Sequence, residues 1–215
     1  MEESPTTQPT ASGIVARAKA ILLQPRSEWP RIATETTDPK SVLLGYALPL
    51  AAIGPVAALI GGQVFGYGAL GVTFRPSLTS AITTALLTFV LSLVSLFVIA
   101  FVANFLSPKF GGRESWPSAF RLVAYSLTAS FVAGVFGLVP ALGILGLLGL
   151  YSLYLFYLGA TPMMGVPQDK VLGYTAITVL AAIVLNIVVG AVVVAVTGPS
   201  VVLGNETVTG LTQYE

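Results

Sequence analysis

Cysteine and histidine are both absent from the 215 residues. Their absence excludes a disulfide framework, a thiol nucleophile, the usual zinc sites and an imidazole proton switch. Charge is scarce as well: 9% of residues are charged, against about 25% in an ordinary soluble domain. That is too little to cover a water-facing surface, and too little for a disordered chain. The net charge of +1 leaves no basic footprint, so no nucleic-acid partner is expected. What is present is apolar: 55% of residues are hydrophobic and mean hydropathy is +0.88. The chain reads as one integral membrane domain of 22.3 kDa.

Four charge-free stretches run from Ser41 to Phe74, Pro76 to Pro108, Leu122 to Gln168 and Val171 to Asn205. About 20 apolar residues cross a bilayer core of about 30 Å. Three stretches therefore hold one crossing each. The third, about 47 residues long, holds two, with a turn near Gly137, Pro140 and Gly143 where helices are punctuated. The expected fold is all-α, with five transmembrane helices at about 43–64, 79–106, 119–138, 141–161 and 171–196 and a short N-terminal amphipathic helix. Nine of the ten basic residues then fall on the N-terminal side and only Arg75 on the other. The positive-inside rule puts that side in the cytoplasm, giving a multi-pass cell-membrane protein with its N-terminus in and its C-terminus out. Tyr46, Tyr125, Tyr157 and Tyr174 lie near the inner span ends, as headgroup anchors would.

Residues 1–12 read as a disordered polar tail without signal-peptide features. Residues 13–40 form the interfacial segment. Ile14, Ala18, Ile21 and Leu22 share a helical face beside Arg17 and Lys19, which suits a helix lying in the inner interface. Pro25 breaks that helix, Ser27 is a candidate cap for the next turn, and Trp29 is expected to dip into the headgroups. Arg17, Lys19, Arg26 and Trp29 are thus candidates for an interfacial or partner-docking surface. Residues 198–215 form an external tail, in which alternating Val and Thr suggest a short strand and Asn205-Glu206-Thr207 matches the glycosylation pattern.

Ion-coupled carriers keep ionisable residues within the membrane, and here none lies deep in a span; Arg121, at the inner end of the third, can snorkel to the headgroups. The deeper polar groups are Asn186, Asn104 and Gln63, hydroxyls along the second span (Ser80, Thr83, Thr84, Thr88, Ser92, Ser95), and Tyr151, Tyr154 and Tyr157 on the fourth. In hydrocarbon such groups join helices or line a polar path. Gly143, Gly146 and Gly149 suggest a close-packing face, Gly62 and Gly66 make one GxxxG match, and Pro49, Pro55 and Pro162 should kink or end their spans. All nine acids lie in termini and loops, so no acid–base pair can form in the bundle. No nucleophile elbow or phosphate loop occurs. The expectation is no catalytic residue, no metal and no cofactor.

The order of elements also resembles the Yip (Ypt-interacting protein) family in its prokaryotic form, across about residues 14–197. The resemblance is carried by Pro-x-x-x-Trp (Pro25, Trp29) within "RAKAILLQPRSEWPRI", by Phe-x-x-x-Ala-Tyr (Phe120, Ala124, Tyr125), and by Leu-Tyr-x-x-Tyr-Leu-Gly from Leu153 to Gly159. It implies a five-span fold. Eukaryotic members are linked to Rab-type GTPases, hetero-oligomers and membrane shape, but the Asp-Leu-Tyr-Gly-Pro motif of their cytoplasmic segment is missing here. The function expected is a non-enzymatic membrane scaffold or organiser, working through helix–helix and lipid contacts and as an adaptor for a cytoplasmic partner. Its partners would be membrane lipids, other copies or other membrane proteins, and a cytoplasmic protein. The alternative is a small passive transporter, channel or lipid-moving protein with a polar path past Asn186 and the tyrosines.

Overall fold

Five helical rods cross the molecule in the computed structural model, which describes residues 11–69 and 72–197. They are the first span Pro39–Val64, the second Leu78–Phe110, the third Trp116–Leu138, the fourth Pro140–Met164 and the fifth Val171–Thr197, each long and apolar enough to cross a membrane. Two shorter helices precede them, α1 (Ala11–Leu23) and α2 (Pro25–Thr34). The N-terminal residues before Ala11 and the C-terminal tail, where a short strand is expected and the Asn205-Glu206-Thr207 triplet falls, lie outside the described residues.

Local chemistry sets the ends. Asp38 caps the first span by accepting the Lys40 amide, with Pro39 in the first helical position. A π-helical turn at Leu43–Ala47 precedes Pro49, which cannot donate into the ladder. The rod stops at Gly66, whose φ of 71° is a left-handed stop. Next comes a small addition to the expected all-helical fold: two three-residue strands, β1 (Tyr67–Ala69) and β2 (Val72–Phe74), paired antiparallel. Ser77 caps the second span through the Ser80 amide at 3.2 Å.

The third span is α-helical but ends in a five-residue 3₁₀ segment, and the fourth is 3₁₀ over nearly half its length. The third changes at Gly134–Leu138 and the fourth begins as 3₁₀ over Pro140–Leu150. Val139, extended at φ −123°, is the hinge between them, within the turn region expected from sequence. In 3₁₀ geometry residues i and i+3 eclipse, so Gly143, Gly146 and Gly149 form one straight line. That line is not the packing face expected of it. Among the described residues a Cβ would meet nothing within 4 Å at Gly143 or Gly146, while at Gly149 it would meet Ser130.

The close approach lies elsewhere. On the first span Gly54 and Gly61 face Gly134 and Gly137 of the third, and a Cβ on Gly61 would collide with the carbonyls of Gly137 and Leu138. Gly62 instead accommodates the Tyr67 ring. The second span packs on the first, third and fifth, while α2 packs on the fourth.

Burial is uneven along the rods. At the end that carries α1, α2 and the 107–115 and 165–170 loops, Ile21, Ile32, Leu96, Leu122, Leu155, Met163 and Tyr174 are fully enclosed. At the opposite end Ile60, Val64, Leu86, Leu147, Ile187 and Val194 are exposed. Apolar side chains exposed along helices of this length are what a lipid-facing surface requires.

Candidate functional site

α1 and α2 fold back on each other as a hairpin and pack into the bundle against the third and fourth spans. The apolar face expected on α1 exists, with Ala18 and Ile21 buried and Ile14 and Leu22 packed beside them. It is spent on protein. Trp29 was expected among headgroups, yet it is 1% exposed. Its indole lies so close to Gly159 that a Cβ there would sit 2.7 Å from the ring and 2.6 Å from Leu122. An amphipathic face satisfies either lipid or a second protein surface, and here the gap left by a glycine accepts the ring. Among the described residues the Trp29 indole N–H has no partner. Ser27 is not the cap of α2: Gln24 holds that place without a side-chain cap, and the Ser27 hydroxyl donates back to the Gln24 carbonyl at 3.0 Å.

Four charges lock the hairpin down. Arg17 on α1 bridges both acids of α2 and its end, reaching Glu28 and Glu35 at 2.5 Å each. Its guanidinium also stands 5.8 Å over the Tyr125 ring. Burial works to lower the Arg17 pKa, but the hydrogen bond and charge of Glu35 outweigh it and leave the group above its ordinary value. Arg121, expected to snorkel outward, turns inward instead and is 7% exposed. It donates to the carbonyl of Ile32 at 3.3 Å, to the carbonyl of Glu35, and to Pro117 of its own helix at 3.3 Å. The last carbonyls of a helix are short of internal donors; at the end of α2 the Glu35 amide reaches Ile32 at 3.2 Å, and Arg121 adds a charged donor to Ile32 and to Glu35. A cation there also complements the helix dipole.

Beneath this lock the first and third spans are joined by Tyr46 and Thr128, whose hydroxyls lie 2.8 Å apart. The Tyr46 and Tyr125 rings meet edge to face at 4.8 Å. Tyr174 donates to the Ala103 carbonyl at 2.9 Å, tying the fifth span to the second. Tyr46, Tyr125 and Tyr174 are therefore core residues rather than headgroup anchors, because each ring finds apolar cover inside the bundle. Arg113 plays a related part at the fourth span, where its amide and guanidinium donate to the carbonyls of Met164 and Met163.

The other sequence candidates are dispersed. Asn104 accepts the Ser115 amide at 2.9 Å and ties the second span to the start of the third. Asn186 is exposed and donates to Ala182 of its own helix at 2.8 Å. Tyr151 and Tyr154 come together, with ring centroids 5.5 Å apart, and Tyr151 donates to the Leu22 carbonyl at 3.2 Å. There they meet the hairpin candidates: a notch of about 390 Å³ is lined by Gln24, Arg26, Ser27, Tyr151 and Tyr154. Lys19, on α1, is exposed and does not line the notch. A second cleft of about 390 Å³ lies between the first, second and fifth spans and is lined by Tyr67, Ser80, Thr84, Thr88 and Thr197.

The inward turn of the acids was invisible in the sequence, where Arg17, Glu28 and Glu35 look like solvated charges. One signal for it existed. Among the described residues, Arg121 is the charge set furthest into a span from its end, and a cation so placed needs carbonyls or acids to hold it.

A five-span membrane bundle with a helical hairpin locked into one end is the class that fold and site define. The family model of the Yip1 domain matches residues 19–190, and the chain belongs to that family. That range takes in most of the hairpin and most of the fifth span. No curated protein and no solved structure matches the chain. The motifs behind the resemblance noted in the sequence converge here: Trp29 packs on Gly159 and Leu122, and Tyr125 lies under Arg17.

Proposed function

We propose that this chain is a non-enzymatic membrane scaffold or organiser that works through helix–helix and lipid contacts, and that its hairpin is the adaptor surface for a partner at the cytoplasmic face. One observation supports this above others: the sorting of charge on the hairpin. Glu28 and Glu35 are turned inward onto Arg17, while Lys19, Arg26 and Arg31 remain exposed. The outward surface is thereby basic and held in fixed shape. Such a surface suits an acidic partner or anionic lipid, while the exposed apolar rods suit lipid and neighbouring spans. The orientation that places the hairpin in the cytoplasm rests on the distribution of basic residues.

The test is affinity purification from the native membrane in mild detergent, with mass spectrometry of co-purifying proteins and lipids. The expected result is a defined protein partner that is lost when Lys19, Arg26 and Arg31 are all replaced by Gln. Recovery of the same set with wild type and variant would contradict the adaptor role.

The cleft between the first, second and fifth spans supports a second reading, passive movement of a small solute or lipid. Its hydroxyls, Ser80, Thr84 and Thr88, are on one helix face and open to one space. Flux or lipid scrambling in liposomes that falls with Thr84→Val would favour it, and silence in that assay would remove it.

A further inference from the structure

The notch at the tip of the hairpin is lined by several donors, three of them without a protein acceptor among the described residues. Among the described residues the Arg26 guanidinium has no acidic partner, and neither Gln24 nor the Tyr154 hydroxyl has a side-chain hydrogen bond. Tyr151 and Ser27 complete the wall, and their hydroxyls donate to the carbonyls of Leu22 and Gln24. Among the described residues no acid lines the notch. Glu28, the nearest in sequence, is committed to Arg17 at 2.5 Å. A guanidinium, an amide and a phenol around one space form a site for a phosphoryl oxygen cluster.

The position says where that phosphate comes from. Tyr151 opens the 14-residue α-helical half of the fourth span, so it stands about 20 Å along the rod from Met164. Continuing past it, Leu147, Leu148 and Leu150 are exposed. Among the described residues the exposed Arg26 guanidinium beside this strip has no acidic partner. An anion seated beside it would supply that partner through charge-assisted hydrogen bonds. A polar notch bordered by an exposed apolar strip has the shape of an amphiphile, headgroup in the notch and acyl chains along the leucines.

We infer that this notch binds the headgroup phosphate of an anionic phospholipid, with Arg26 as the charge partner and Tyr154 and Gln24 as further donors. The proposal goes beyond the scaffold reading and stands whether or not a protein partner exists. It makes the hairpin tip a lipid-reading element set by the lock at its other end.

The full-length protein in mild detergent, titrated calorimetrically with short-chain phosphatidylglycerol, tests it. Phosphatidylcholine and inorganic phosphate form the comparison arms. Saturable binding of about one phosphatidylglycerol per chain is expected, weakened about tenfold by Arg26→Gln and by about threefold in Tyr154→Phe. Lys19→Gln, a cation lost from the same hairpin outside the notch, should change the Kd by less than about twofold. Arg26→Lys should lie between wild type and Arg26→Gln, since it keeps the charge without the fork. Unchanged Trp29 emission in a Trp116→Phe background shows that each variant is folded; should Arg26→Gln not fold, Tyr154→Phe and Arg26→Lys carry the test. Equal weakening by Lys19→Gln and Arg26→Gln would mean a diffuse basic surface and overturn the site. Phosphatidylcholine binding as tightly as phosphatidylglycerol, or inorganic phosphate as tightly as the lipid, would overturn it too.

Discussion

Arg121 decides more than any other single side chain, because it donates from inside the bundle to the carbonyls of Ile32 and Glu35 at the end of α2. Replacing it with Gln leaves those carbonyls short of donors and the acids of the lock in excess. The expected cost is about 3 kcal/mol, from the loss of charged hydrogen bonds in a buried place. It should be seen as a red shift of Trp29 emission in a Trp116→Phe background. Gly159 makes the complementary case: Gly159→Leu fills the space that Trp29 occupies, so it should expel the ring with every lock residue intact. Arg17 sets the pH behaviour. A base whose pKa is raised on folding contributes stability that is fully present below its unfolded value and is lost only as pH rises through the folded one. Both values lie in the strongly alkaline range, so the Arg17 contribution should be constant across neutral pH in denaturation followed by Trp29 emission.

At the scale of elements the glycine seam holds the first span to the third. Gly61→Val forces a side chain into the carbonyls of Gly137 and Leu138 and should cost about 1–3 kcal/mol in thermal or denaturant unfolding. Gly146→Ala, whose methyl meets nothing within 4 Å among the described residues, should stay within about 0.5 kcal/mol. The contrast explains part of what could be read beforehand. A charge-free stretch must find about 30 Å of hydrocarbon, so five spans and the turn near Pro140 follow from composition. Which glycines touch does not follow, since that depends on which rods become neighbours. The GxxxG rule picked out Gly62 and Gly66, while the contact uses Gly54 and Gly61 against Gly134 and Gly137. The 3₁₀ half of the fourth span is hidden for a similar reason, as its apolar pattern is equally good for an α-helix.

Over the whole molecule, the least legible feature is the most consequential: the hairpin belongs to the bundle. Ile14, Ala18, Ile21 and Trp29 carry the same amphipathic signature whether they meet lipid or protein, and the sequence alone offers no means to choose between the two. The site candidates fared accordingly. Arg26, Tyr151 and Tyr154 meet in one notch, but Asn104 and Asn186 bond elsewhere. The chain's lack of cysteine allows a clean topology test with single introduced residues. Thr36→Cys and Gln168→Cys should label from one side of the membrane and Arg75→Cys from the other.

The docking of the hairpin is tested most directly by quenching Trp29 with acrylamide in the folded Trp116→Phe protein. Buried between Leu122 and Gly159, Trp29 should emit at short wavelength and resist the quencher, and both Arg121→Gln and Gly159→Leu should open it to quenching. A wild-type Trp29 already open to the aqueous quencher would contradict the account, because the hairpin would then be a free arm and the lock would hold nothing.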